Sequence, residues 1–357
     1  MTRLLIVDDS ALMRKLLSEI FSDAGGFEID IARDAEEALA RLHDFGPEVI
    51  TLDIHMPGMD GLSCLDRIMI ERPCPVVMVS SLTEEGADET LEALSLGAVD
   101  FIAKPRGPVS LEIDTIAAQL VEKVRSAATA RVSRAARLTD RVRLRARAVN
   151  RPPARRKQRG PVERLDGIAA VLVGVSTGGP PALDALLQPL PADFPWPIVI
   201  AQHMPKSFTG PLARRLDRNC ALTVSEVTGP TPIIAGHVYI GTGDADLLVS
   251  RRKGVAIAMP APLRPEVPWH PSAELLVTSA MKTLGAERLV GVLLTGMGSD
   301  GASAMARMRE GGGHVIAQDE ASSVVWGMPG ALVALGGVDR VLPIGEIAAQ
   351  LLEWAQE

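Results

Sequence analysis

Apolar and polar positions alternate in two rhythms over the first 125 residues. Short apolar or alternating runs at 4–7, 28–31, 49–52, 76–79 and 99–103 predict strands. The segments between and after them, 11–21, 35–42, 61–70, 87–96 and 111–124, carry apolar residues at three- and four-residue spacing and predict helices. Five strand–helix repeats predict an α/β parallel sheet covered on both faces. In such a sheet, chemistry gathers beyond the carboxyl ends of the strands.

A second series begins near residue 167. Strands are predicted at 168–173, 198–201, 289–294, 314–317 and 338–342, and helices at 180–187, 209–216, 272–284, 301–309 and 346–353. The stretch 222–259 is rich in Gly, Pro and Val and predicts short strands and turns. The whole reads as a second α/β sheet with an antiparallel insertion. Between the two series, residues 109–151 contain neither Gly nor Pro, although the chain holds 32 Gly and 26 Pro. Ala, Arg and Leu dominate there and favour helix, which predicts that the last helix of the first series runs on as a long basic helix. Arg151-Pro152-Pro153 ends it, and 155–160 reads as flexible linker. The expected organisation is a first domain over 1–122, a basic, partly helical connector over 123–164, and a second domain over 165–357. The length of 357 residues agrees with two domains.

Charge sharpens this division. The net charge of −7 splits into −15 over 1–122 (9 Lys/Arg, 24 Asp/Glu), +13 over 123–160 (14 against 1) and −5 over 161–357 (14 against 19). No run of 18 apolar residues exists, so no transmembrane helix is expected. Carboxylates at Asp8 and Asp9 stand where a signal peptide needs an apolar stretch, so a cytoplasmic protein is expected. Three cysteines without CxxC spacing argue against a disulfide framework and a zinc site. Aromatics make up 3 % of residues, too few for a platform that stacks single-stranded nucleic acid.

Asp8 and Asp9 follow the first predicted strand, Asp53 the third, Ser80 ends the fourth and Lys104 the fifth. One pocket can therefore hold all five. Three carboxylates repel one another unless a hard cation joins them, and oxygen ligands with retained waters suit Mg²⁺. With the metal bound, Asp53 can attack phosphorus while the metal and Lys104 stabilise charge on the transferred group. The pattern resembles the receiver domain of two-component response regulators, a flavodoxin-like doubly wound sheet. That resemblance implies that Asp53 accepts the phosphoryl group. It implies that Asp8 and Asp9, with the His55 carbonyl, bind Mg²⁺, and that Ser80, Phe101 and Lys104 form the switch.

Gly174-Val175-Ser176-Thr177-Gly178-Gly179-Pro180 lies between a predicted strand and helix and fits G-x-S-x-G, the turn that exposes a nucleophilic serine. The amide of Thr177 is placed to donate to an oxyanion, helped by the helix N-terminus. Gly-rich turns of this kind also bind phosphates, but no GK[ST] follows, which excludes a Walker site. Among the six histidines, His203 immediately follows the next apolar strand, whereas His314 opens a late strand. Asp300, in Thr295-Gly296-Met297-Gly298-Ser299-Asp300-Gly301, follows a strongly apolar strand and could orient the base or cap the next helix. Met297 is expected to line the substrate turn.

These residues, with Gln202-His203-Met204-Pro205, Ala317-Gln318-Asp319-Glu320-Ala321-Ser322 and Gly327-Met328-Pro329, resemble the chemotaxis receptor methylesterase family, known as CheB. The resemblance covers both domains in the family's order. It implies Ser176 as nucleophile, His203 as base and Asp300 as orienting acid. The implied reaction is phosphorylation-activated removal of methyl groups from glutamate methyl esters on chemoreceptors, with methanol released, and in some members receptor glutamine deamidation. No cofactor is implied for the esterase chemistry. The implied partners are methylated chemoreceptor cytoplasmic helices and a chemotaxis histidine kinase. No nucleic acid, no membrane insertion and a monomeric chain are expected. Two positions depart from the family pattern: Asp246 stands where a turn commonly ends in His, and Glu274 where Asp is usual.

Two rival readings stand beside this one. A general α/β-hydrolase would order its triad Ser-Asp-His and pair Asp300 with His314. A response regulator whose second domain only binds partners would need no triad. The arginines of the connector, among them Arg131, Arg134, Arg141 and Arg145, either dock an anionic surface or form a solvated spacer.

Overall fold

The computed structural model describes residues 1–80, 84–104, 112–130, 167–264 and 266–355. The chain divides into two compact units, Met1–Val162 and Glu163–Glu357.

In the first unit the order is β1 (Thr2–Val7), α1 (Ala11–Ala24), β2 (Phe27–Ala32), α2 (Ala35–Asp44), β3 (Val49–Asp53), α3 (Gly61–Glu71), β4 (Val76–Ser80), α4 (Glu84–Leu96), β5 (Asp100–Ala103) and α5 (Glu112–Ala128). All five strands pair in parallel in the order β2-β1-β3-β4-β5. Leu4, Leu5 and Ile6 of β1 and Val49, Ile50 and Leu52 of β3 are fully buried, as expected for strands covered by helices on both faces. Their register sets Val7 beside Leu52, so the residues that follow, Asp8 and Asp53, leave the sheet together at the point where the strand order reverses. Ser10, Asp34 and Asp60 cap α1, α2 and α3 through their side chains, fixing where each helix starts.

The expected boundary at 122 falls inside α5. Beyond it, Val124 and Ala127 are still buried, and Lys123 reaches Asp100 at 2.9 Å. The helix does not run on unbroken. The amides of Thr129 and Ala130 turn back to the carbonyls of Ser126 and Ala127, and the Thr129 hydroxyl also donates to the Ser126 carbonyl. A hydroxyl that offers the backbone a local partner competes with the helical ladder. The rest of the basic connector, including Arg131, Arg134, Arg141 and Arg145, lies outside the described residues.

The second unit runs β6 (Ala170–Val175), α6 (Gly179–Leu187), β7 (Ile198–Gln202), α7 (Lys206–Asn219), β8 (Thr223–Val227), β9 (Thr231–Pro232), β10 (His237–Gly241), β11 (Asp246–Arg252), β12 (Val255–Ala261), α8 (Ala273–Leu284), β13 (Leu289–Leu293), α9 (Ala302–Glu310), β14 (His314–Gln318), α10 (Met328–Ala334), β15 (Arg340–Leu342) and α11 (Ile344–Ala355). Seven strands form a parallel sheet in the order β15-β14-β13-β6-β7-β10-β8, and β11-β12-β9 form a small antiparallel one.

The antiparallel insertion is thus narrower than the composition of 222–259 predicted. β8 and β10 leave that stretch and extend the parallel sheet beyond β7. The small sheet supports α8: the Val249 amide donates to Ser279 Oγ at 2.9 Å, and Thr283 Oγ1 donates to the Val249 carbonyl at 3.0 Å. Among the described residues no helix is long and apolar enough to cross a membrane.

Candidate active site

β13, β6 and β7 are neighbours, with Gly174 of β6 paired to Leu293 on one side and Ala201 on the other. Ser176, His203 and Asp300 follow the carboxyl ends of these three strands. The switch point of the sheet lies between β6 and β13, where an open α/β sheet leaves a crevice. Backbone bonds set the approach: the Ser176 amide donates to the Thr295 carbonyl, and the His203 amide donates to the Val175 carbonyl, both at 3.0 Å.

The Nε2 of His203 lies 2.8 Å from Asp300 Oδ2. Asp300 also accepts from Ser272 Oγ at 2.8 Å and from the amides of Ala273 and Glu274 at 2.6 and 3.2 Å. These last are the opening residues of α8, so the carboxylate rests on the positive end of a helix. Burial pushes the Asp300 carboxyl up, but the bond and charge of His203 with the donors of Ala273 and Ser272 outweigh it and hold the group below its ordinary value. Asp300 does not cap the helix that follows it. Gly301 occupies that position with no side-chain cap, and the carboxylate turns to α8 instead. The ring of His203 stacks on Trp269, with centroids 5.9 Å apart and planes 9° from parallel. With Nε2 committed to Asp300 as a donor, Nδ1 is the nitrogen left to take a proton.

Gln202 clamps the two loops: its Nε2 donates to the carbonyls of Ser176 and His203 at 3.0 and 3.1 Å. Gly179 is needed for this, because a Cβ there would collide with the Gln202 amide. Thr295 Oγ1 donates to the Thr177 carbonyl at 2.9 Å and accepts from the Val325 amide at 3.0 Å, while its own amide donates to Gln318 Oε1. A Cβ on Gly296 would come within 2.6 Å of the Ser176 Cβ, so the Gly-Met-Gly turn closes directly on the serine. Thr177 and Met297 are both buried beside it.

His314 begins β14, at the amino end of the sheet, with its ring against Trp354. It lies at the opposite strand end from Asp300, so a Ser-Asp-His arrangement through His314 is not formed. The sequence reading missed Trp269 and the contact of Ser272 with Asp300. It began this helix at Ser272, which is instead its N-cap, and gave no sign of the side chain's reach to a carboxylate 28 residues away. Asp246 and Glu274, singled out in the sequence, both stand near Asp300: Asp246 through Ser272 and Glu274 through its own amide. Asp246 accepts from His270 Nδ1 at 2.9 Å and from the Ser272 amide at 3.1 Å. The Glu274 side chain accepts from the Ala304 amide at 2.8 Å and Arg307 at 2.7 Å, tying α8 to α9.

In the first unit Asp8, Asp9 and Asp53 place carboxylate oxygens within 4.8 Å of one another. Asp8 Oδ1 accepts from the Ser10 amide and Asp53 Oδ1 from the His55 amide, each two residues on. The other oxygens, both buried, lie 3.1 and 2.7 Å from Lys104 Nζ, close enough for ion pairing but poorly aligned for hydrogen bonds. Burial pushes the Asp53 carboxyl up, Lys104 opposes this, and Asp8 adds to it. Burial also disfavours the Lys104 charge, but the two carboxylates outweigh it and raise that group. Two under-satisfied buried carboxylate oxygens in an all-oxygen cluster fit a hard divalent cation. The Ser80 hydroxyl meets Thr90 Oγ1 at 2.8 Å and the Gly86 carbonyl, both on α4. Phe101 is buried with Lys123 Nζ 5.1 Å from its ring centre, and the His55 side chain reaches Glu89 at 3.2 Å.

Comparison with known proteins agrees with this architecture. The CheB methylesterase family model matches residues 171–351, and the response regulator receiver domain model matches residues 4–114. The chain is 54 % identical over 363 residues to a protein-glutamate methylesterase/protein-glutamine glutaminase 2 of Rhodopseudomonas palustris, covering 99 % of this chain and 98 % of the relative. It is also 54 % identical over 359 residues to a protein of the same description, numbered 3, of Rhodospirillum rubrum, covering 99 % and 96 %. The crystal structure of the Thermotoga maritima CheB methylesterase catalytic domain matches with a TM-score of 0.50 at 36 % identity, over 52 % of this chain and 98 % of that one.

Proposed function

The chain belongs to the CheB methylesterase family, in the form that carries a receiver domain ahead of the catalytic one, and from that premise we propose that Ser176, His203 and Asp300 hydrolyse glutamate methyl esters on the cytoplasmic helices of chemoreceptors. The observation that carries this reading is the buried Asp300, bonded to His203 and to the start of α8. Such a carboxylate fixes the imidazole in one tautomer and stabilises the imidazolium formed during turnover.

Ser176 Oγ attacks the ester carbonyl and gives its proton to His203 Nδ1. The Thr177 amide and the start of α6 hold the oxyanion. The intermediate collapses as the C–O bond to the methoxy group breaks, and His203 returns the proton to release methanol. Water, activated by His203, then attacks the acyl-serine, freeing glutamate and restoring Ser176. A glutamine side chain follows the same steps with ammonia as leaving group. Met297 lines the ester.

Control comes from the first unit. Asp53 takes a phosphoryl group from a chemotaxis histidine kinase. Asp8, Asp9 and Asp53 with the His55 carbonyl would hold Mg²⁺, which when bound neutralises charge on the transferred group. Lys104 pairs with the phosphorylated carboxylate, Ser80 turns from Thr90 towards it, and Phe101 responds to that move. The chain acts as a monomer, without nucleic acid.

The test is methanol release from methylated receptor membranes with and without a small phosphodonor. Ser176→Ala should lower release by at least about 10³-fold while Asp53 is still phosphorylated. Release retained in that variant would overturn the triad assignment.

A further inference from the structure

The six residues from Trp269 to Glu274 make four of the contacts that hold the triad. Trp269 supplies the stacking face for His203, and Ser272, Ala273 and Glu274 supply the three donors to Asp300 other than His203. Yet Trp269 to Ser272 belong to neither helix nor strand. Something outside the segment must set its path. Asp246, 1 % exposed, stands behind it. Its Oδ1 accepts both His270 Nδ1 and the Ser272 amide, while its Oδ2 is buried without a hydrogen-bond partner. Asp246 itself opens β11 and pairs with Ala261 of β12, so its backbone is fixed by a sheet.

A buried carboxylate with one oxygen unsatisfied is costly to keep. The surrounding contacts show what it holds. Asp246 grips Ser272 by its amide, and Ser272 presents its hydroxyl to Asp300, which holds His203. Hydrogen bonds therefore run without a break from Asp246 through Ser272 and Asp300 to the base. His270 gives the carboxylate its second donor and pulls the chain next to Trp269 into place.

We propose that Asp246 and His270 form a positioning pair that sets the orientation of the Asp300–His203 couple for ester hydrolysis. The proposal rests on the esterase reading above. Neither residue touches the reacting atoms; both act through Ser272 and Trp269. Misplacing a base by even a fraction of the hydrogen-bond length lowers the rate of proton transfer more than it alters substrate binding.

The experiment uses the full chain with three variants: Asp246→Asn, His270→Phe, which keeps bulk and removes the donor, and His270→Asn, which keeps a donor near the position of Nδ1. Each is checked for folding by circular dichroism. Methanol release gives kcat and KM, and ¹⁵N-histidine spectra taken without substrate follow the Nε2 proton that His203 shares with Asp300. Asp246→Asn and His270→Phe are expected to lower kcat about tenfold or more, with KM within twofold, and to shift that proton signal. His270→Asn should recover most of the lost turnover. An unmoved signal with full turnover in folded His270→Phe overturns the proposal, as does an equal loss in His270→Phe and His270→Asn. Absence of methanol release from the parent chain would sink the esterase reading instead, and the histidine signal would still decide whether the pair positions the couple.

Discussion

The proposed chemistry depends most on one side chain, Asp300. It accepts from the base, a hydroxyl and two helix amides, so its negative charge is worth more in the folded protein than in the unfolded chain. The sign follows from its lowered pKa. The stabilisation is fully present above the ordinary carboxylate value of 3.8 and is lost as pH falls through the still lower value of the folded state. Asp300→Asn should remove that acid-side slope in a denaturation series and lower kcat by about 10⁴-fold, because the amide cannot hold the productive tautomer. A variant with the parent's kcat would show that His203 is oriented by something else. The convergence of Ser176, His203 and Asp300 was legible because each follows an apolar strand, and strand ends converge in a parallel sheet. Trp269, Ser272 and Asp246 were not legible as parts of the site. Trp269 and Ser272 lie in a segment without periodicity, and the partners of these three residues lie 24 to 66 positions away in the chain.

Among the elements, α8 links the small sheet to the catalytic strands. β11 holds it from behind through Ser279 and Thr283, and its first turn faces Asp300. Glu274 extends the link by capping α9 and meeting Arg307. Glu274→Ala should therefore cost about 1 kcal/mol in urea unfolding, the usual worth of a cap. A loss below a few tenths would mean that solvent replaces the contact. Asp at this position has one methylene fewer, so the longer side chain serves the span to Ala304. All ten strands and helices of the first unit were readable in the sequence to within four residues at each end, the largest differences falling at the ends of α1 and α5 and the start of α4. In the second unit, α10 was not predicted; it holds Pro329 and Gly330, both disfavoured inside a helix. Pro329 lies in the first turn of that helix, where a missing amide hydrogen costs nothing. β8 and β10 were placed in the insertion because composition reports turns and not which sheet a strand joins.

On the scale of the whole molecule, the net charge of −7 conceals the segments with which the sequence opened. The −15 of residues 1–122 includes the cluster of Asp8, Asp9 and Asp53, whose under-satisfied oxygens fit a cation. The +13 lies in the connector and the last turns of α5, where Lys123 and Arg125 serve the receiver sheet and α1. Asp53→Ala should leave unstimulated methanol release within about twofold while abolishing the response to phosphodonor, because only that carboxylate is proposed to carry the phosphoryl group. Stimulation that survives the change would move the switch elsewhere. The placement of tryptophan allows the same message to be followed by light. All four tryptophans, at 196, 269, 326 and 354, fall in the second unit and none in the first. One of them stacks on His203. Indole emission is therefore blind to rearrangement within the receiver and responsive to its consequences at the base. A change in fluorescence after phosphodonor is added, lost in Asp53→Ala, would time the arrival of the signal with neither substrate nor dye.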